Sequence, residues 1–316
     1  MALLVEGRKL LFCADAPEEN LRWYLYLMCK NSELSYLRKL KHTNQRADNR
    51  LLHFLEQPMT RELRLSNNTL SIDSVVALTG PVRIHDTLSH LSLRYAKLND
   101  LAISTLCEAA KFNKSIETLD LEGNNITADG ARAISLVLDA DTPLKTLILK
   151  ENQIGDKGVE HLAVVLSSGS NAHLERLDLT NNRIEEKGAR SYATALANVT
   201  KIVDVELDDN RIGNAGTAAL LELCEKNSAI QILRLQNNGI TDDGILGIVE
   251  TLKSNTSLKR LYLAFNTLSN ASYEGMIRTL MINRTLEFVE FADYRLETTD
   301  LCSLRLLNDC NLLKLS

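Results

Sequence analysis

Asp204, Glu206 and Asp208 alternate with apolar residues along Asp204-Val205-Glu206-Leu207-Asp208, and Asp209 follows. On a strand, those three carboxylates point one way, neighbours ~6.8 Å apart. Like charges so placed repel unless a cation or a basic partner visits them. Asp120, Glu122 and Asp178 repeat the theme upstream, and the aromatics Tyr262, Phe265 and Phe288 lie downstream. His90 and Ser92 share one alternation and raise a nucleophilic dyad, but side-by-side exposed strand positions account for them better. The chain carries no phosphate loop, no GxSxG, no HExxH and no paired-glycine fingerprint. Six cysteines are scattered without CxxC or metal-ligand spacing, which reads as reduced core thiols, with Cys302 and Cys310 the nearest to one another. The chemistry on offer is binding, with no enzyme activity, cofactor or metal expected.

The elements that must position these residues are written in a repeat. Nine copies begin at Thr60, Leu88, Ile116, Leu144, Leu174, Ile202, Ile230, Leu258 and Leu286, each 28 residues after the last except for a two-residue insertion near 167–171. Each reads apolar-x-x-apolar-x-apolar-x-x-Asn-x-apolar, as in Leu174, Leu177, Leu179, Asn182 and Ile184. A fixed period of this length marks a solenoid. The pair Leu177 and Leu179 has period two, so it predicts a short strand with one buried face, and Arg176, Asp178 and Thr180 face outward. A helix with an apolar stripe follows, for instance Ala131, Ile134, Val137 and Leu138, and Thr127 or Asp129 can cap its start. Glycines recur six residues after the Asn (Gly130, Gly158, Gly188, Gly216, Gly244), where the helix start must pack too closely for a side chain.

The Asn column is Asn68, Asn124, Asn152, Asn182, Asn210, Asn238 and Asn266. A buried amide there can satisfy backbone groups of its own and an adjoining repeat. Ala96 and Tyr294 interrupt it, and the first gap is expected to leave backbone groups to water. Strands stack at ~4.8 Å and helices at ~8–10 Å, so strands inside and helices outside force a curve of roughly 20–25° per repeat. The fold class is therefore α/β: a horseshoe solenoid with a parallel concave sheet and convex helices.

These columns resemble the leucine-rich-repeat family, in its ribonuclease-inhibitor-like subclass, from Thr60 to about Leu296. The resemblance implies binding of proteins and leaves the partner open. It also raises a Ran-type GTPase-activating role, in which Arg94 stands early in the solenoid as the catalytic-loop arginine does. Its surroundings, Leu93-Arg94-Tyr95-Ala96-Lys97, depart from that family's loop, and no acidic tail follows Leu315-Ser316.

Residues 1–59 are expected to form an N-terminal cap, mainly helical, with a hairpin at Leu3-Leu4-Val5 and Leu10-Leu11-Phe12. A helix after Pro17 leaves Trp23 and Tyr26 off its apolar stripe. Residues 60–296 are the repeats and 297–316 a C-terminal cap. The net charge of −5 gives no support for a nucleic-acid binder. No segment reads as a signal peptide or a membrane span, so a cytoplasmic or cytoskeleton-associated location is expected.

The outward positions divide into a mixed-to-basic start (Arg64, Arg94), an acidic middle and an aromatic end. The predicted partner-binding residues are Asp120, Glu122, Asp178, Asp204, Glu206, Asp208, Asp209, Tyr262, Phe265 and Phe288. They fit a protein with a basic surface and an apolar anchor. A structural subunit of a cytoskeletal or large multiprotein assembly, bound through its caps or convex helices, is the alternative.

Overall fold

The structure, a computed structural model, describes residues 60–291 except 68, 141 and 171, the strands Ala2–Val5, Arg8–Leu11 and Tyr294–Leu296, and residues 51, 53, 54, 300 and 302. Strands β1 (Ala2–Val5) and β2 (Arg8–Leu11) pair antiparallel as the expected hairpin. The expected helix carrying Trp23 and Tyr26, and the C-terminal segments after Asp300, lie outside the described residues apart from Cys302.

The repeats then alternate strand and helix: β3 (Glu62–Arg64), α1 (Ile72–Ile84), β4 (His90–Ser92), α2 (Asp100–Ala110), β5 (Thr118–Asp120), α3 (Ala128–Asp139), β6 (Thr146–Ile148), α4 (Gly155–Ser168), β7 (Arg176–Asp178) and α5 (Glu186–Leu196). The series continues with β8 (Asp204–Glu206), α6 (Gly213–Lys226), β9 (Ile232–Arg234), α7 (Asp242–Ser254), β10 (Arg260–Leu263), α8 (Asn270–Ile282), β11 (Phe288–Phe291) and β12 (Tyr294–Leu296). Strands β3 to β11 form one parallel sheet in sequence order, and β12 closes its end by pairing antiparallel with β11. That hairpin is where the Asn column reaches Tyr294, so the repeat ends because the chain turns back.

Register follows from the apolar columns. Leu63, Leu91, Leu119, Leu147 and Leu177 are successive Cα partners, and Val205, Leu233, Leu261 and Val289 continue the row. A one-residue slip would turn this buried row to solvent. The two extra residues fall in the α4–β7 connection, where Gly169 caps α4 in the left-handed region (φ 72°), so the register survives them. Leu177, Leu179, Ile184 and Ala189 are fully buried between sheet and helices, each large apolar side chain contributing about 1.5–3 kcal/mol.

The asparagines bond backwards, to the preceding repeat. Nδ2 of Asn182 donates to the carbonyl of Leu149 at 2.8 Å and to its own turn at Thr180, while Oδ1 accepts from Ile154 N–H. Asn124, Asn152, Asn210, Asn238 and Asn266 make the corresponding bonds. At Ala96 the expectation of backbone groups left to water is corrected for the Leu70 N–H. The Leu70 N–H that an amide would have taken donates to the Ala96 carbonyl at 3.1 Å, so backbone replaces side chain. Asn68 lies outside the described residues.

Two further ladders run between repeats. The cap of α3 is corrected: Thr127 accepts no capping bond, and Asp100 of the preceding repeat takes Thr127 N–H, Thr127 Oγ and Gly130 N–H. Asp156, Asn214 and Asp242 serve the next helix in the same way. The glycine column follows from close packing: a Cβ there would meet the isoleucine four residues before, as Ile154 at Gly158, and at Gly130 it would also sit 2.5 Å from the Asp100 carboxylate oxygen. At the helix ends Asn113, Asn227, Asn255 and Asn283 donate back to the previous repeat and accept the amides that open the next strand. In the first repeat His85 takes that acceptor role through Nδ1, bonded to Leu88 N–H at 2.9 Å.

Candidate protein-binding surface

The outward residues of β3 to β11 line the concave wall, and their charges are arranged across strands. Asp178 and Glu206 are Cα partners on β7 and β8, two carboxylates side by side that would repel if left alone. Arg176 resolves this. Its Nε and Nη2 fork onto the two Glu206 oxygens at 2.7 and 2.8 Å, and Nη2 also reaches Asp178 at 3.3 Å. On the other flank Arg234 of β9 forks onto Asp204 at 2.9–3.1 Å. Strand β8 is thus clamped by a guanidinium from each neighbour. Near the start, Arg94 bonds Glu122 at 2.7 Å and approaches Asp120 at 3.7 Å. The sequence-based expectation that the alternating acids await an outside cation is corrected: two of the three receive one from this chain.

The carboxylates sit beneath these arginines. Asp120, Glu122, Asp178 and Glu206 are buried, while the Arg176 side chain above is 46 % exposed. Burial pushes Asp178 up, and Glu206 beside it pushes the same way. Burial also raises Glu206, but the Arg176 fork outweighs it and holds that carboxyl below its ordinary value. Asp204 is raised by burial against the pull of Arg234. Asp208 has no fork. It accepts only the Gln236 N–H at 2.8 Å, and burial drives its carboxyl up to about 6.

Of the predicted contact residues, then, Asp120, Glu122, Asp178 and Glu206 are sealed within the wall. Asp204, Asp208, Tyr262 and Phe288 are half-buried, and Asp209 and Phe265 are exposed. Tyr262 and Phe288 pack ring to ring at 4.9 Å, and the Arg234 guanidinium lies over the Tyr262 ring at 4.6 Å. Arg234 therefore fastens the acidic strand to the aromatic one. Outward charge on β7 to β9 and the turn after β8 is five carboxylates (Asp178, Asp204, Glu206, Asp208, Asp209) against two guanidiniums (Arg176, Arg234).

Phe265 is the outlier. The residue before each ladder Asn adopts positive φ: Asn67, Tyr95, Gly123, Glu151, Asn181, Asp209, Asn237 and Phe265. Gly and Asn tolerate that region, whereas a bulky side chain there is strained. Tyr95 is held, its single hydroxyl proton shared between Glu122 and Glu151 at 3.0 and 2.9 Å and its ring occupying the space a Cβ on Gly123 would need. Phe265 is 79 % exposed with φ 60°.

Four stretches, 112–135, 140–163, 170–191 and 226–249, match the family model described as Leucine Rich repeat. The chain is a leucine-rich-repeat protein of the ribonuclease-inhibitor-like type. It is similar to leucine-rich repeat-containing protein 45 of Gallus gallus, 31% identical over 45% of this chain and 21% of that protein. RAN GTPase-activating protein 2 of Arabidopsis thaliana is 34% identical over 31% of this chain and 18% of that protein. The ribonuclease inhibitor of Mus musculus is 29% identical over 50% of this chain and 35% of that protein. The leucine-rich-repeat chain thus spans about a fifth to a third of these relatives' lengths. Its family supports a protein-interaction module. Among the described residues no group of His, Cys, Asp and Glu could hold a metal, and no helix is long and apolar enough to cross a membrane.

Proposed function

We propose that the chain is a non-catalytic protein-binding module that seats a partner on the C-terminal half of its concave wall. Phe265 carries this reading. It is a large apolar side chain on positive-φ backbone, three residues after Tyr262, and far more exposed than Tyr95, the other aromatic in its column, which Glu122 and Glu151 hold in place. The turn requires positive φ in each of these repeats but not a bulky side chain, so placing phenylalanine where asparagine or glycine costs less points to function. Aromatic anchors ringed by charge are how interfaces concentrate affinity. The partner brings an apolar anchor to Phe265 and basic groups to Asp208 and Asp209, drawn by the net negative charge of β7 to β9. A cytoplasmic or cytoskeleton-associated location accompanies the reading, supported by Cys107 and Cys224, which are buried free thiols.

The test is recovery of partners by the intact chain and by Phe265→Asn, Asp209→Lys and a convex-face variant such as Val164→Glu. Loss with the first two alone supports the concave site. Loss with Val164→Glu alone moves the interface to the helices and favours a structural subunit. The similarity to a Ran GTPase-activating protein raises a second reading, against which stands the Arg94 guanidinium, tied to Glu122 and Asp120. Purified chain mixed with small GTPases and GTP is expected to leave hydrolysis unchanged. An acceleration removed by Arg94→Ala would install the activator reading in its place, and such arginines are worth 10³–10⁵ in rate.

A further inference from the structure

We propose that a pocket across β3, β4 and β5 is a second binding site, built for an oxyanion, a carboxylate or phosphoryl group. The pocket encloses about 450 Å³ at the N-terminal end of the concave wall. It is distinct from the surface around Phe265, which lies about six strand spacings, or ~29 Å, along the sheet from β4. Failure of one leaves the other standing.

Hydrogen-bond accounting carries the inference. The two acids on the inner side of the pocket, Asp120 and Glu122, accept bonds from within the wall. Asp120 takes the Ser92 hydroxyl and the Glu122 N–H, and Glu122 takes the Tyr95 hydroxyl and one Arg94 N–H. Glu62, at the edge and 45 % exposed, takes both Arg64 nitrogens on Oε1 alone. The donors are in surplus. A guanidinium has five N–H groups, and Arg64 gives two nitrogens to Glu62 while Arg94 makes one close bond, to Glu122. Both project where solvent reaches them, with side chains 70 % and 43 % exposed, whereas Glu122 beneath is 9 % exposed. His90 is exposed at the mouth; its Nδ1 donates to Ser89 Oγ at 2.8 Å, whose own proton goes to the Arg61 carbonyl, so Nε2 can donate to an anion only as the imidazolium. The remaining N–H groups of the two guanidiniums make the concavity donor-rich, and its complement is an acceptor-only group.

The test titrates the intact chain with sodium phosphate and with sodium glutarate, using sodium chloride at matched ionic strength as reference. The side-chain signals of Arg64, His90 and Arg94 are followed by NMR. A saturable shift with Kd on the order of 1 mM for either anion supports the site. Saturation by phosphate alone names a phosphoryl source, by glutarate alone a carboxylate, and by both the shared chemistry. Arg64→Ala and His90→Ala remove exposed side chains and are expected to weaken binding about tenfold together. Arg94→Lys keeps a cation on Glu122, removes the fork, and is expected to weaken it as well. Shifts reproduced by chloride, no saturation by ~20 mM, or affinity untouched in all three variants overturns the proposal.

Discussion

Asp208→Asn should make this protein more stable and a poorer binder at once. Asp208 is driven from 3.8 up to about 6, chiefly by burial, with Asp209 and Asp178 adding to it. Each pH unit of such a difference corresponds to ~1.4 kcal/mol, so charging Asp208 in the fold costs at most ~3 kcal/mol. Partial exposure to solvent screens this to ~1–2 kcal/mol. The folded value lies above the unfolded one, so the group's stabilising contribution is complete below about pH 4 and is lost as pH rises through about 6. At pH 7 the wild-type chain bears the full penalty. Asparagine removes the charge, and its amide oxygen can still accept the Gln236 N–H now taken by the carboxylate. The expected outcome is a gain of ~1–2 kcal/mol at pH 7 in urea denaturation, shrinking toward zero near pH 4. Capture of a basic partner should weaken in the same variant, as happens when a site is held at a cost in stability. A variant no more stable than wild type at pH 7, or a gain that does not fade on acidification, would refute the desolvation argument.

Asn182→Ala removes bonds to Leu149, Thr180 and Ile154 from a fully buried site, and should cost ~1–3 kcal/mol by equilibrium denaturation. Because repeats couple to their neighbours, that loss can also split the transition into steps. Phe265→Asn should raise stability by ~1 kcal/mol by relieving positive-φ strain, while partner affinity measured by calorimetry falls by ~2 kcal/mol or more. Tyr192 is fully buried with its hydroxyl bonded to no group among the described residues, so Tyr192→Phe should be neutral or stabilising by ~1 kcal/mol in thermal melts. Glu206→Gln weakens the Arg176 fork and should destabilise by ~1–3 kcal/mol, where the same change at exposed Asp209 does not.

The periodic part of this fold is legible in the chain because it depends on residues two apart on a strand, three and four apart on a helix, and one repeat apart in the stack. Leu177 and Leu179, the Asn column and the glycine column carry enough local information to fix strand, turn, helix and parallel order. The parity of the strands also puts the acids and Tyr262 on the concave wall. Tertiary structure alone decides which of those acids are available. Arg176 meets Glu206, and Arg234 meets Asp204, across diagonals between adjoining strands, 30 residues apart in sequence. A strand read along its own length shows Asp204, Glu206 and Asp208 as equals, whereas the stacked sheet clamps two and leaves Asp208 half-buried without a fork. The helix cap that Asp100 lends to Thr127 was hidden for the same reason, since its partner stands in the next repeat. Sequence also shows an aromatic at both Tyr95 and Phe265, and only the packing separates them. The Tyr95 hydroxyl reaches two carboxylates and its ring fills the space over a glycine, while Phe265 has open water before it.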